Sequence, residues 1–287
     1  MLIEDLRKEL DTGKVTSEEL FEKSVSLAKK YQEEYNPFVT ILDKYKMKKK
    51  KDTLVTGIPY ALKDNFSTSH ILTTGSSNIL KNYAPVFDAT VYKKLKEAGA
   101  VLMGKTVLDE LAMGGTGTTG HTGVVKNPWD KTREIGGSSA GSAAAVALGI
   151  VPFALGSDTG DSIRKPAAFG GVVGFKPTYG LISRYGLFAF ASSLDHVGCF
   201  TRSVRDAALV TDIIKGEDPH DMTSLKDTGE CLVDSLSQDI KGRKLFYIKE
   251  ICDRTLYEKS GDQEILAVLD NFYDLIEKLK EKGFVIE

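Results

Sequence analysis

Apolar positions recur every three or four residues near the start of the chain, with Leu2, Ile3, Leu6 and Leu10 on one stripe and Leu20, Phe21, Val25 and Leu27 on another. This period predicts two amphipathic helices within the first 35 residues. Thr16 followed by Glu19 gives the second helix its start, because in a capping box the hydroxyl and the carboxylate satisfy backbone donors that the first turn leaves unpaired. Their apolar stripes read as packing or partner surface. Further along, short apolar and β-branched runs, Val151 to Leu155 and Gly171 to Phe175, alternate with helical patterns from Asp88 to Ala98 and Ala140 to Leu148. That alternation predicts an α/β fold built on a sheet. A polar, turn-prone stretch from Glu217 to Gly242 reads as a surface connection. After it come an apolar run, Lys244 to Ile248, a long helix from about Gln263 to Lys282, and Phe284 to Glu287, which resemble the start of a strand. A chain that stops there is either a fragment of something longer, the favoured reading, or one that ends on a sheet edge.

These patterns divide the chain into an N-terminal helical segment (1–50), a core (51–220), a surface connection (221–242) and a strand–helix–strand segment (243–287). The chain has 287 residues, 41% hydrophobic and 27% charged, which excludes wholesale disorder, collagen and coiled coil. A net charge of −2 gives no general attraction to nucleic acid or anionic lipid, and the run from Lys46 to Lys51 reads as a solvated linker. Cys199, Cys231 and Cys252 lack metal-ligand spacing, and His70, His121, His196 and His220 lie far apart, so no metal site is expected. An odd cysteine count without a signal-peptide pattern points to a reducing, cytoplasmic setting, and no apolar run is long enough to span a membrane.

Two literal motif matches are set aside. Gly99 to Thr106 (GAVLMGKT) fits the P-loop pattern, but its variable positions are Ala100, Val101, Leu102 and Met103. These would bury as a strand, whereas a phosphate loop follows a strand and opens a helix. Gly115 to Gly120 (GTGTTG) fits GxGxxG, yet the preceding Val107 to Met113 looks helical, and a dinucleotide fingerprint follows a strand. It reads as a flexible glycine loop bordering a pocket.

Glycine is concentrated between Gly99 and Gly186, and two Ser/Gly-rich turns lie there: Gly136 to Ser142 (GGSSAGS) and Gly156 to Arg164 (GSDTGDSIR). Upstream, Lys63 sits in an apolar setting, Ile58 to Asp64 (IPYALKD). Burial disfavours the charged form of a lysine and makes it a usable base, and lysine with serine activates a nucleophile without histidine. Asp158 and Arg164, which flank the second turn, read as a structural ion pair, and Tyr179, Arg184 and Asp195 are taken as structural on the same grounds.

From about Gly57 to Arg202 the chain resembles the amidase signature family, with lysine in a GIPxxLKD context, a GGSSxGS turn and GSDTGxSIRxPA. The resemblance implies that family's fold, a mixed β-sheet core surrounded by helices, here with N-terminal helices added. It also implies a triad with Ser162 as nucleophile, Ser138 as bridging serine after a cis Gly137–Ser138 bond, and Lys63 as base. The 24-residue separation of Ser138 and Ser162 equals the family's. Backbone N–H groups of Thr159, Gly160, Asp161 and Ser162 would form the oxyanion hole. Asp161 departs from the glycine usual there, and a carboxylate pointing into the hole would oppose the developing charge. It is therefore expected to turn toward Arg164 or Lys165.

Gly174 to Gly180 (GFKPTYG), Ser183 to Gly186 (SRYG) and Phe190 to Asp195 (FASSLD) narrow the resemblance, over nearly the whole chain, to the A subunits of tRNA-dependent amidotransferases. This implies a glutaminase that releases ammonia to convert Glu-tRNA(Gln) to Gln-tRNA(Gln), or Asp-tRNA(Asn) to Asn-tRNA(Asn). Glutamine is then the substrate and the amidotransferase's B and C subunits are the partners, with ATP, Mg and tRNA at the B subunit and no cofactor on this chain. Residues that recognise glutamine are expected beyond Glu287. The alternatives are a stand-alone amidase acting on another amide, and a non-catalytic fragment or assembly component.

Overall fold

In the computed structural model, which describes residues 1–226 and 228–287, the predicted capping box forms. Glu19 N–H donates to Thr16 Oγ1 at 3.2 Å and Thr16 N–H donates to Glu19 Oε2 at 2.7 Å, opening helix α2, Ser17–Tyr35. Before it runs α1, Ile3–Asp11. Most of both predicted stripes packs inward, with Ile3, Leu6, Leu20, Phe21 and Val25 buried, whereas Leu2 is exposed.

The chain divides into two compact units, Met1–Val233 and Asp234–Glu287. The first is built on a six-stranded mixed sheet. Its strands are β1 (Phe38–Ile41), β2 (Pro59–Lys63), β3 (Val101–Thr106), β4 (Phe153–Asp158), β5 (Val173–Phe175) and β6 (His196–Thr201), in the order β1-β3-β2-β4-β6-β5. The inner strands β3, β2 and β4 are parallel, while β1, β6 and β5 join antiparallel. Helices α3 (Thr90–Glu97), α4 (Ala140–Ala147), α5 (Arg164–Gly170) and α6 (Val204–Ile214) complete the unit. The expected mixed sheet surrounded by helices is what the chain forms.

Strand alternation sorts the core. Tyr60, Leu62, Phe153 and Leu155 join residues of α1, α3 and α6, whereas Ala61, Met103 and Ala154 join the alanines of α4. Because side chains alternate along a strand, Lys63 falls on the face of Ala61, toward α4. The alanine-rich α4 approaches the sheet closely: Gly141 N–H donates to the Val107 carbonyl at 2.9 Å.

Within Gly99–Thr106, residues Val101–Thr106 form a strand, as the apolar positions predict, and Lys105 is enclosed within it. Its amine donates to the Phe66 carbonyl and Thr73 Oγ1, both at 2.8 Å, and lies 3.5 Å from Asp64 Oδ1. Burial, only partly offset by Asp64, lowers the Lys105 pKa to about 8. A lysine so enclosed cannot reach a phosphate.

Two expectations need correction. Val107 to Met113 is not a helix; only a 3₁₀ turn, Glu110–Ala112, forms, with Leu111 at φ 54°. Competing partners hold the backbone there: Leu108 N–H donates to Ser76 Oγ at 3.0 Å and the Val107 carbonyl is taken by Gly141. Gly115 to Gly120 is not a flexible loop but is wrapped around the buried Asp109 carboxylate. The lysine run from 46 to 51 stays exposed, as expected, and Lys50 pairs with Glu97 at 2.6 Å on the surface. At the start of the polar connection, Asp218 and Asp221 are buried and receive Ser183 Oγ and Arg184 N–H at 2.6 and 2.8 Å.

The second unit holds β7 (Lys244–Leu245) and β8 (Val285–Ile286), paired in parallel, with the helices Arg254–Glu258 and Gln263–Glu281 between them. The last residues thus form the strand that their pattern predicts. At Gly141, in the first unit, a Cβ would overlap the Pro37 carbonyl and lie 2.6 Å from Val107 N. Gly141→Ala should therefore cost about 1–3 kcal/mol by overpacking, read as a lower denaturation midpoint; an unchanged midpoint would contradict this close approach.

Candidate active site

The parallel strands β2 and β4 both end at the same edge of the sheet, β2 on Lys63 and β4 on Asp158, just before the Thr159–Ser162 turn. Groups carried past the carboxyl ends of parallel strands meet in one crevice. The third segment, Gly136–Ser139, arrives as the lead into α4.

Lys63 is fully buried, and its amine lies 2.7 Å from Ser138 Oγ and 2.8 Å from Ser157 Oγ, with the Ser157 carbonyl at 3.4 Å. Burial is the main influence on this amine and lowers its pKa to about 7, against the opposing pull of Asp109, Asp158 and Asp195. A neutral lysine keeps a lone pair, so the Ser138 hydroxyl has a proton acceptor at hydrogen-bond distance. The Gly137–Ser138 peptide is cis, as expected from the motif.

Ser162 is brought to the same place through its backbone: Ser139 N–H donates to the Ser162 carbonyl at 3.2 Å. Its side chain is nearly buried, at 6% exposure. Among the hydrogen bonds of the described residues, none joins the Ser138 and Ser162 hydroxyls directly. Nor do the N–H groups of Thr159, Gly160, Asp161 and Ser162 donate to any other group among the described residues.

The flanking charges take structural posts. Asp158 is fully buried and accepts from Arg164 Nη2 at 3.0 Å and Ile163 N–H at 2.9 Å. Burial alone would raise its pKa, but the bonds from Arg164 and Ile163 outweigh it and hold the carboxyl below the usual range. Since Arg164 is engaged by Asp158, the exposed Asp161 turns to Lys165, Oδ2 to Nζ 3.8 Å. Asp195 accepts from Thr159 Oγ1 at 2.6 Å and from the N–H groups of Phe190 and Ala191, tying the turn to the next loop. Arg184 pairs with Asp221 at 3.3 Å and lies over the Tyr179 ring. A cavity of about 210 Å³ opens beside this network, lined by Arg184, Tyr185, Ser192, Asp195 and His220.

Sequence reasoning misses Asn65, Ser157 and Asp109. Asn65 Nδ2 donates to Ser157 Oγ at 3.0 Å and so sets the hydroxyl that faces Lys63. Ser157 lies within GSDTGDSIR, so the motif marks the turn but not the role of its first serine. Among the described residues, no group of three His, Cys, Asp or Glu side chains is placed to hold a metal ion.

A family model described as Amidase matches residues 19–286. The A subunit of glutamyl-tRNA(Gln) amidotransferase from Streptococcus pneumoniae (strain Hungary19A-6) is 43% identical over 294 residues, covering 99% of this chain and 59% of that protein. The crystal structure of the Thermotoga maritima protein of the same name superposes with a TM-score of 0.87 at 41% identity, over 100% of this chain and 60% of that one. Native peptide amidase from Stenotrophomonas maltophilia superposes with a TM-score of 0.83 at 28% identity, over 100% of this chain and 61% of that one. The chain thus spans less than two thirds of the length of these relatives.

With the Lys63 amine titrating near 7, it is an ammonium below that pH and an acceptor above it. Covalent labelling of Ser162 by a fluorophosphonate should rise with pH through about 7; a rate independent of pH from about 5.5 to 8.5 would exclude Lys63 as the base. Because Asp161 is exposed and turned to Lys165, Asp161→Gly should leave that rate within about twofold. A tenfold change would show the carboxylate acting on the site.

Proposed function

The chain belongs to the amidase family, and from that premise we propose that it carries the amide-cleaving centre of a glutaminase that supplies ammonia to a tRNA-dependent amidotransferase. One observation carries the reading: a fully buried lysine amine 2.7 Å from the hydroxyl of Ser138, which is linked through Ser139 to the Ser162 turn with its unengaged N–H groups. The likeness over 99% of this chain to the A subunit of a glutamyl-tRNA(Gln) amidotransferase supports the substrate assignment.

Ser162 Oγ attacks the carboxamide carbon of glutamine while its proton passes to Ser138 Oγ, whose own proton goes to neutral Lys63 Nζ. The tetrahedral oxyanion is received by the N–H groups of Thr159, Gly160, Asp161 and Ser162, a type of donor worth roughly 3 kcal/mol each when removed singly. The C–N bond then breaks, and the departing nitrogen takes the proton back along the same relay and leaves as ammonia. Water, giving up a proton along that path, attacks the Ser162 ester; the C–O bond to Ser162 breaks, the proton returns along the relay to Ser162 Oγ, and glutamate leaves. The B and C subunits of the amidotransferase are the partners in this reading, with ATP, Mg and tRNA held by the former.

A second reading, a stand-alone amidase acting on another amide, is favoured by the likeness to peptide amidase over the full length of this chain. Association with the B and C subunits on co-expression supports the amidotransferase reading; cleavage of peptide amides in preference to glutamine supports the second.

Mass spectrometry after fluorophosphonate treatment tests the chemistry that both share. Label is expected on Ser162, absent in Ser162→Ala, and slowed by about 10³-fold or more in Lys63→Ala and Ser138→Ala because the three act as one unit. Labelling of Lys63→Ala at the wild-type rate would overturn the mechanism.

A further inference from the structure

Asp109 is fully buried and none of the proposed proton transfers passes through it, yet it meets the site from three directions. Its own N–H donates to the Ser138 carbonyl at 3.1 Å. Its carboxylate gathers consecutive backbone donors: Oδ2 accepts from Thr116 and Gly117 at 3.1 and 2.9 Å, and Oδ1 from Thr118 and Thr119 at 3.0 and 3.2 Å. The Thr119 hydroxyl adds a further bond to Oδ1 at 3.0 Å. That carboxylate lies so close beneath residue 137 that a Cβ there would overlap Oδ2, and at Gly114 a Cβ would lie 2.6 Å from Asp109 Cβ. Gly137 N–H in turn donates to the Gly115 carbonyl at 2.9 Å, closing the ring.

We infer that Asp109 is a positioning residue for the Lys63–Ser138 pair, holding Ser138 through its own N–H and binding the 115–119 loop against Gly137 through its carboxylate. The inference deepens the amidase reading and rests on it. A carboxylate satisfied by so many N–H donors has its two oxygens fixed, and a fixed Asp109 fixes the backbone of Ser138. All three carboxylates that act on the Lys63 amine are held by other donors, Asp109 by the 116–119 N–H groups, Asp158 by Arg164 and Asp195 by Thr159, and Asp109 has the largest effect. The remaining charges near these groups are paired or turned away: Lys105 is beside Asp64, Glu110 accepts from Ser77, and Lys165 faces Asp161.

Asp109→Asn separates this role from simple support of the fold. It keeps the volume, removes the charge and turns an acceptor into a donor facing N–H groups. In the folded variant, fluorophosphonate labelling of Ser162 should reach a lower plateau. The acidic limb of its pH profile should move down by about half a pH unit or more, because a nearby negative charge favours the ammonium of Lys63 and its loss disfavours it. A plateau at the wild-type level would overturn the inference, wherever the limb falls. If Asp109→Asn lacks the wild-type melting transition, Thr119→Val replaces it, since it removes the hydroxyl bond to Asp109, together with the Glu110 N–H bond to the same hydroxyl, and leaves the charge and every backbone donor to the carboxylate. A plateau lowered about threefold or more with the limb unmoved then supports the inference, and a wild-type plateau overturns it. Wild-type chain that is folded but not labelled at Ser162 would overturn the amidase reading itself, and this inference with it.

Discussion

The site depends on a lysine amine placed where water does not reach. A charged ammonium is costly to bury, and the chain meets that cost with hydroxyls rather than a paired carboxylate. Lys63 ends an inner strand and faces the two serine oxygens within 3 Å of its nitrogen. Had an aspartate stood in direct contact, as Asp64 stands by Lys105, the amine would be held more firmly as a cation. The carboxylates that act on Lys63 are instead each committed to other donors, and burial dominates the balance.

The sheet makes that burial possible. Parallel pairing of β2 with β3 and β4 covers Lys63 on both sides in the plane, and the small side chains of α4 allow that helix to close over its face. The glycine at 141 and the alanines around it therefore serve the site as much as the core: a bulkier helix would stand further from the sheet and carry Ser138 with it. Packing and chemistry here share the same residues.

Much of this is legible in the sequence because it is local. The capping box at Thr16, the buried strand hidden within a P-loop pattern and the Ser/Gly turns all depend on neighbours within a few positions, which period and spacing report well. Lys63, Ser138 and Ser162 stand out through their motifs. What is not legible depends on distant partners. Val107 to Met113 has a helical pattern of apolar residues, but its backbone groups are taken by Ser76 and Gly141, which no local pattern announces. Asp109 lies in that stretch and looks like an ordinary polar residue, because its donors come from a loop and its effect falls on a serine 29 positions away. Asn65 escapes notice for the same reason, its partner Ser157 being 92 residues on.

The hydrogen bonds that gather Lys63 to Ser138 and Ser157 close loops of 75 and 94 residues. Contacts of that span form only after the intervening chain has found its place, since closure of long loops must be met before such pairs contribute anything. No small piece of the first unit can therefore hold the amine–hydroxyl pair. In the proposed mechanism, reactivity at Ser162 would thus double as a gauge of folding completeness, reporting that strands far apart in the chain have met.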